Sequence, residues 1–222
     1  MQHIVKIKSL DKITPDVLKI ITEKPKDFSF TPGQATKVSI NKSGWENDTR
    51  SFTFTSLPDD DYLEFIIKIY PYREKETNEL LQLQKEDELI LHEVFGSISY
   101  RFEGVFIAGG MGITPFISIF RDLARKNKIG NNKLILASKT KDDIILEEEF
   151  KKILGKNFIP ILSNEIAEGY PHGKITKEFI KANIGEINQT FYICGPQAMV
   201  KSIEEQLGNL NVYKDYIIKE LF

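Results

Sequence analysis

Cysteine is almost absent: Cys194 is the single one in 222 residues. One thiol forms no intrachain disulfide, and it cannot hold an iron–sulfur cluster or a Cys-based zinc ion. His3, His92 and His172 stand too far apart in sequence to make a zinc motif, so no metal is expected. An excess of one charge is also lacking. Lys and Arg number 30 and Asp and Glu 32, a net charge of -2 with neutral histidines. A nucleic-acid binder shows a basic excess or stripe, and there is none here. Long hydrophobic runs are missing as well. Apolar stretches such as residues 105–110 and 191–194 fall far short of the ~20 residues that span a bilayer. The start, Met1-Gln2-His3-Ile4-Val5-Lys6, has neither the basic segment nor the apolar segment of a signal peptide. The expectation is a cytoplasmic protein without membrane insertion.

What is present is ordinary for a packed protein: 41% hydrophobic and 28% charged residues. The length allows one large domain or two small ones. The two halves have different rhythms. Residues 3–8, 17–22, 35–40, 50–55, 63–70 and 88–93 carry β-branched or aromatic residues, several in alternation with polar ones. Turn residues such as Pro32-Gly33 separate them. Evenly spaced short strands predict an antiparallel β-barrel. One helical interruption is expected from Thr77 to Leu83. In the second half, buried-looking strands at 105–108, 133–137, 157–162, 191–194 and 216–219 alternate with helical segments at 115–126, 142–154, 176–183 and 196–207. That alternation predicts an α/β domain with a parallel five-stranded sheet. The boundary falls near 99–104, giving domains of 1–101 and 102–222.

The sharpest local feature is Gly109-Gly110-Met111-Gly112-Ile113-Thr114-Pro115, which follows a strand and opens a helix. Glycines allow positive φ and close backbone approach to a phosphate. The helix start adds unpaired N–H groups and the positive end of a dipole. Thr114 suits the N-cap and Pro115 the first helical position. A plain strand-to-helix turn without a ligand is the alternative. The pattern lacks the third glycine of the common dinucleotide fingerprint and its acidic ribose partner. In that place stand Ser138-Lys139-Thr140-Lys141, a lysine and hydroxyls that suit a 2′-phosphate and so NADPH over NADH. A solvated charged loop is the other reading.

The combination resembles the ferredoxin–NADP reductase superfamily. Phe30-Thr31-Pro32-Gly33-Gln34 is similar to its F-x-P-G-Q turn, and Arg50-Ser51-Phe52-Thr53 to its R-x-Y-[ST] flavin motif, with phenylalanine in place of tyrosine. Phe95-Gly96 matches the end of the barrel, and Cys194-Gly195-Pro196-Gln197-Ala198-Met199 resembles C-G-P-x-x-M. Glu220-Leu221-Phe222 resembles the acidic–x–aromatic ending. These motifs occur in the family's order over most of the chain.

The resemblance implies an FAD-binding barrel followed by an NAD(P)-binding domain. It implies that Arg50 meets the FAD pyrophosphate, with Ser51 and Phe52 beside the flavin and Thr53 near its N5. Thr77 and Asn78 would offer backbone N–H groups to the pyrophosphate, in a segment that lacks the family's usual glycines. Gly110, Gly112, Thr114, Pro115, Ser138 and Lys139 would face NADPH or NADH, and Cys194, Gly195 and Pro196 would border the nicotinamide. Phe222 would stack on the flavin and Glu220 would tune the hydride-transfer region. Thr53, Cys194, Glu220 and Phe222 are thus the implied catalytic set. Each has a plainer reading: Thr53 as a strand residue, Cys194 as a small buried residue, Phe222 as a frayed end. The implied activity is hydride transfer from NAD(P)H to FAD, then electron transfer to a separate carrier. That carrier would be ferredoxin, flavodoxin or an oxygenase component. A free-flavin reductase and a sensor that does not turn over are the rival readings.

Overall fold

The computed structural model describes residues 2–69 and 79–221. Strands β1 (His3–Thr14), β2 (Val17–Glu23), β3 (Ala35–Ile40), β4 (Arg50–Thr53), β5 (Tyr62–Lys68) and β6 (Glu88–Phe95) form one antiparallel sheet. Their order is β4-β3-β6-β1-β2-β5. A bridge between Phe54 and Phe65 joins the two edges, so the sheet closes into a barrel. Alternation decides which side chains fill it. On β5, Leu63, Phe65 and Ile67 point inward and pack with Ile7, Ile20, Phe52, Phe54 and Leu89. Strand β1 runs to Thr14, beyond the expected end at residue 8. Its second half has Leu10 and Ile13 as its apolar residues, one on each face, so no alternation marks a buried side there. A long hairpin with β2 holds it, with Thr14 opposite Val17.

The second sheet is wholly parallel. It contains β7 (Gly104–Gly109), β8 (Lys133–Ser138), β9 (Phe158–Leu162), β10 (Thr190–Gly195) and β11 (Ile217–Leu221), in the order β11-β10-β7-β8-β9. Helices α1 (Thr114–Arg125), α2 (Glu147–Leu154), α3 (Lys177–Ile184) and α4 (Gln197–Gly208) connect the strands. Both faces of the sheet are covered, which explains the unbroken apolar runs in its strands. Phe106, Ala108, Tyr192 and Cys194 face α1 and the barrel. Val105, Ile107, Phe191 and Ile193 face the other way, with Ile180, Val200 and Ile203.

Three local expectations need correction. Thr114 is not an N-cap but the first residue of α1, and Pro115 is its second. A 3₁₀ turn over Gly110–Ile113 has already bent the chain, and the Thr114 hydroxyl donates back to the Met111 carbonyl at 3.0 Å. The helical segment expected at 142–154 is broken. Lys141–Asp143 is a 3₁₀ turn, Ile144 and Ile145 are buried, and Leu146 takes a φ of 54° before α2 begins. The left-handed backbone at Leu146 is where the helical path is interrupted. In the interrupting helix, Thr77 and Asn78 lie outside the described residues. Glu79 and Leu80 are helical, and the helix has ended by Leu81.

The domains are joined by an apolar seam and by one buried cation. Val17 and Ile66 from the barrel and Ile98 from the connection belong to the same core as Phe116, Ile117 and Phe120 of α1. Beside them, Arg121 of α1 donates to Glu64 of β5 at 2.5 Å and to the Thr55 carbonyl at 2.8 Å. Its other face makes a two-pronged contact with Glu149 of α2, at 2.6 and 2.9 Å. Burial works against the guanidinium's charge, but the bonds to Glu149 and Glu64 outweigh it and hold its pKa above the ordinary value. The carboxylate of Glu64 is further satisfied by the Thr55 hydroxyl, at 2.8 Å. The Ser118 hydroxyl of α1 accepts from the Gly33 N–H at 3.0 Å, which makes the Phe30–Gln34 turn a docking point for this helix. Where the chain crosses between domains, the Tyr192 hydroxyl accepts the N–H groups of Arg101 and Phe102 and donates to the Phe102 carbonyl.

Removing the cation strands Glu64. Arg121→Met is expected to lower stability by about 3 kcal/mol in urea denaturation, and Glu64→Gln added to it should recover part of the loss. Tyr192→Phe leaves two N–H groups and a carbonyl without this partner and should cost about 1–3 kcal/mol, read the same way.

Candidate functional site

The strand order places the first strand of the parallel sheet, β7, between β8 and β10. Connections leave β7 and β10 toward opposite faces, which opens a crevice at their carboxyl ends. A cleft of about 460 Å³ lies there. One wall is the turn after β7, with Gly109, Gly110, Met111 and Gly112. The end of β8 contributes Ala137, Ser138 and Lys139, and the start of α4 adds Gly195, Pro196 and Met199. The opposite wall belongs to the barrel: Asp16, Val17 and Lys68.

The glycines do different jobs. A Cβ on Gly112 would collide with the Cys194 carbonyl, and one on Gly109 with the Met199 sulfur, so these two let the turn pack against β10 and α4. Gly110 has a φ of 51° and open space where a side chain would be, which keeps the mouth of the cleft clear. No side chain caps α4, whose N-cap Pro196 lines the cleft, so the dipole end of that helix remains for an anion.

Among the described residues, Ser138 Oγ is the buried side-chain oxygen left without a hydrogen-bond partner. It lines the cleft. A buried hydroxyl without a partner costs free energy, so one on a residue that lines a cleft marks a place for a ligand's polar group. Lys139 beside it is exposed. Asp143, also in the cleft wall, is occupied: its carboxylate accepts both the N–H and the hydroxyl of Thr140.

The cleft therefore brings together Gly110, Gly112, Ser138, Lys139, Gly195 and Pro196 from the sequence-based set. Thr114 and Pro115 are buried behind the turn and do not line it. Cys194 sits one residue back, fully buried in the seam. Burial and the nearby Glu220 carboxylate push its thiol pKa far up, so the group is neutral and no nucleophile. Glu220 pairs with Cys194 across β10 and β11, and its carboxylate accepts the Ile98 N–H at 3.3 Å. Sequence reading missed Asp16, Lys68, Met111, Asp143, Ser163 and Met199. A signal for Lys68 existed: Glu64, Ile66 and Lys68 form the outward row of β5.

The flavin motif lies elsewhere, on β4. Val38 pairs with Arg50 and Thr36 with Phe52, on the barrel's inner side; Lys37 pairs with Ser51 and Ala35 with Thr53, on the outer side. Phe52 is buried, tilted against Phe65 at 6.1 Å. Arg50 is half-buried at the strand's start, Ser51 is exposed and Thr53 is buried. Among the described residues, Arg50–Thr53 pairs with Val38–Ala35 of β3. Thr53 lies opposite Ala35, which lies opposite Phe95, and Glu220 reaches Ile98 just beyond. Glu220 and Cys194 thus lie at the seam between the domains, and Thr53 stands on the outer row of β4, two strand pairings from Phe95. Phe222 lies outside the described residues.

Two family models match. An FAD-binding domain covers residues 2–119, and an oxidoreductase NAD-binding domain covers residues 106–205. The chain is 30% identical to the propane 2-monooxygenase reductase component of Mycolicibacterium goodii, over 92% of this chain and 62% of that protein. It is 26% identical to NADH-cytochrome b5 reductase 2 of Mycosarcoma maydis, over 91% of this chain and 64% of that one. The chain thus spans about three-fifths of the length of these curated relatives. In fold it matches the FAD/NAD-binding domain of nitric oxide dioxygenase from Vibrio cholerae, with a TM-score of 0.87 at 19% identity, covering 99% of this chain and 98% of that one. With a closed barrel, a parallel sheet whose crevice carries the glycine turn, and an FAD-binding model that alone takes in more than half of the residues, this chain belongs to the ferredoxin–NADP reductase superfamily of FAD- and NAD-binding oxidoreductases.

Proposed function

We propose that this chain moves hydride from a reduced nicotinamide dinucleotide, NADH or NADPH, to FAD on its barrel domain. Electrons then pass to a one-electron carrier outside these 222 residues, such as ferredoxin, flavodoxin or an oxygenase component. The observation that carries this reading is the unpartnered Ser138 hydroxyl beside a cleft that also holds the glycine turn and the uncapped start of α4. A dinucleotide satisfies both at once, its ribose or phosphate oxygens meeting the hydroxyl and its pyrophosphate meeting the helix. Lys139 adds a cation at the end of β8.

The residues of β4 fit FAD. Arg50 would offer a guanidinium fork to phosphate oxygens, with Ser51 and Phe52 beside the ring. We assign Thr77 and Asn78 to the pyrophosphate on the same reading, and Phe222 to the ring face. When bound, FAD supplies an acceptor of two electrons that can release them singly. The protein's own work is orientation. We assign Thr53, Cys194 and Glu220 to the seam where the two rings would meet, and hydride transfer depends on alignment more than on proton chemistry. A neutral thiol at Cys194 gives that seam a small, uncharged wall. The division between FAD and NAD(P) domains is put at 101/102. No helix among the described residues is long and apolar enough to cross a membrane, and a cytoplasmic setting belongs to the same reading.

Anaerobic titration of the FAD-loaded protein with NADH and with NADPH tests this directly. Flavin absorbance should bleach with at least one nucleotide, and protein that binds no FAD or stays oxidised with both defeats the reading. Ser138→Ala separates site from scaffold. Stability should hold or rise, while nucleotide affinity should fall about fivefold, the worth of one hydrogen bond.

A further inference from the structure

The barrel wall of the cleft carries a pair of opposite charges whose role nothing above requires. Asp16 sits in the tight turn between β1 and β2. Its carbonyl accepts the Ile69 N–H at 2.8 Å, and its Oδ1 lies 3.3 Å from the Thr14 hydroxyl, which donates to it. Its Oδ2 meets Lys68 Nζ at 2.5 Å. Lys68 ends the outward row of β5, opposite Val17. Both side chains are partly exposed, 24% for Lys68 and 35% for Asp16, and both face the cleft.

Across from them lie the glycine turn, Ser138 and Lys139. As it stands, the wall is electrically neutral and offers a pyrophosphate no net attraction. Lys68 can serve the phosphates only by loosening its hold on Asp16. The freed carboxylate then lies beside the incoming negative charge and repels it at short range. Asp143, the other acid of the cleft, is held by Thr140 and does not enter this exchange.

We propose that Asp16 is a positioning residue that parks Lys68 on the cleft wall and yields it to the phosphates of the dinucleotide, so that the pair moderates nucleotide affinity and favours release. This rests on the reading of the cleft as a dinucleotide site. Asp16→Asn keeps the shape and the acceptor for Thr14 but removes the charge. A purely structural role for Asp16 predicts weaker binding on substitution, whereas parking predicts tighter binding.

The probe is ADP-ribose, which carries the pyrophosphate and no reactive ring, titrated calorimetrically into the FAD-loaded protein. Asp16→Asn should bind it about three- to tenfold more tightly, and Lys68→Met about tenfold more weakly, as expected for losing one close charge of either sign. In the Lys68→Met background the gain from Asp16→Asn should shrink by at least half, because no ion pair is left to break. Melting temperatures check that each variant folds. Unchanged or weaker binding by Asp16→Asn, or an equal gain in both backgrounds, overturns the exchange. Wild-type protein that binds neither ADP-ribose, NADH nor NADPH overturns the cleft reading itself. Binding that weakens with Lys68→Met yet ignores Asp16→Asn leaves that reading standing and removes only the exchange.

Discussion

A guanidinium taken out of water must be matched on every side, and that requirement organises this molecule. Arg121 rises from α1 and is held by Glu64 of the barrel, Glu149 of α2 and the Thr55 carbonyl. The same helix begins at the glycine turn. The strand that supplies Glu64 ends, four residues on, at Lys68. Fixing Arg121 to Glu64 therefore fixes one wall of the cleft against the other. Between the two charged contacts, Ile66 seals the row into the apolar seam. One face of one strand thus carries an ion pair, a hydrophobic plug and a cleft-lining cation, spaced by the two-residue repeat of a β-strand.

The parallel sheet contributes the other constraint. Its crevice exists because neighbouring strands send their connections to opposite faces. Gly109 and Gly112 let the turn press against β10 and α4, and any side chain there would push the wall outward. Close packing and ligand access are set by the same three glycines, two by filling space with backbone and Gly110 by leaving it open. The FxPGQ-like turn, read at first as a feature of the barrel, also serves the junction, through Gly33 and Ser118.

Much of this was legible in the amino-acid order. Strand and helix alternation gave both sheets, because burial on one or two faces leaves periodic traces. The turn at Gly109–Gly112 and the pair Ser138-Lys139 stood out because they interrupt that periodicity at strand ends. Thr114 did not behave as its type suggests, since a 3₁₀ turn had already bent the chain. Cys194 was placed at the right strand end, but its full burial depends on the barrel packed against it. Asp16 carried no local mark, and the outward row that ends at Lys68 did not say what it faces: their meaning comes from β1, β2 and β5 facing a domain encoded later in the chain. Local pattern cannot show which outward row of a barrel will become someone else's wall.

The Tyr192 hydroxyl has a consequence for how fast the cleft can respond. It holds Arg101 and Phe102 of the crossing between domains, with bonds of 2.9 and 3.0 Å to their two successive N–H groups. A crossing tied down in this way is a poor hinge. Admission of a ligand then falls to side chains at the cleft mouth, which reorient in picoseconds to nanoseconds, rather than to swinging domains, which take microseconds to milliseconds.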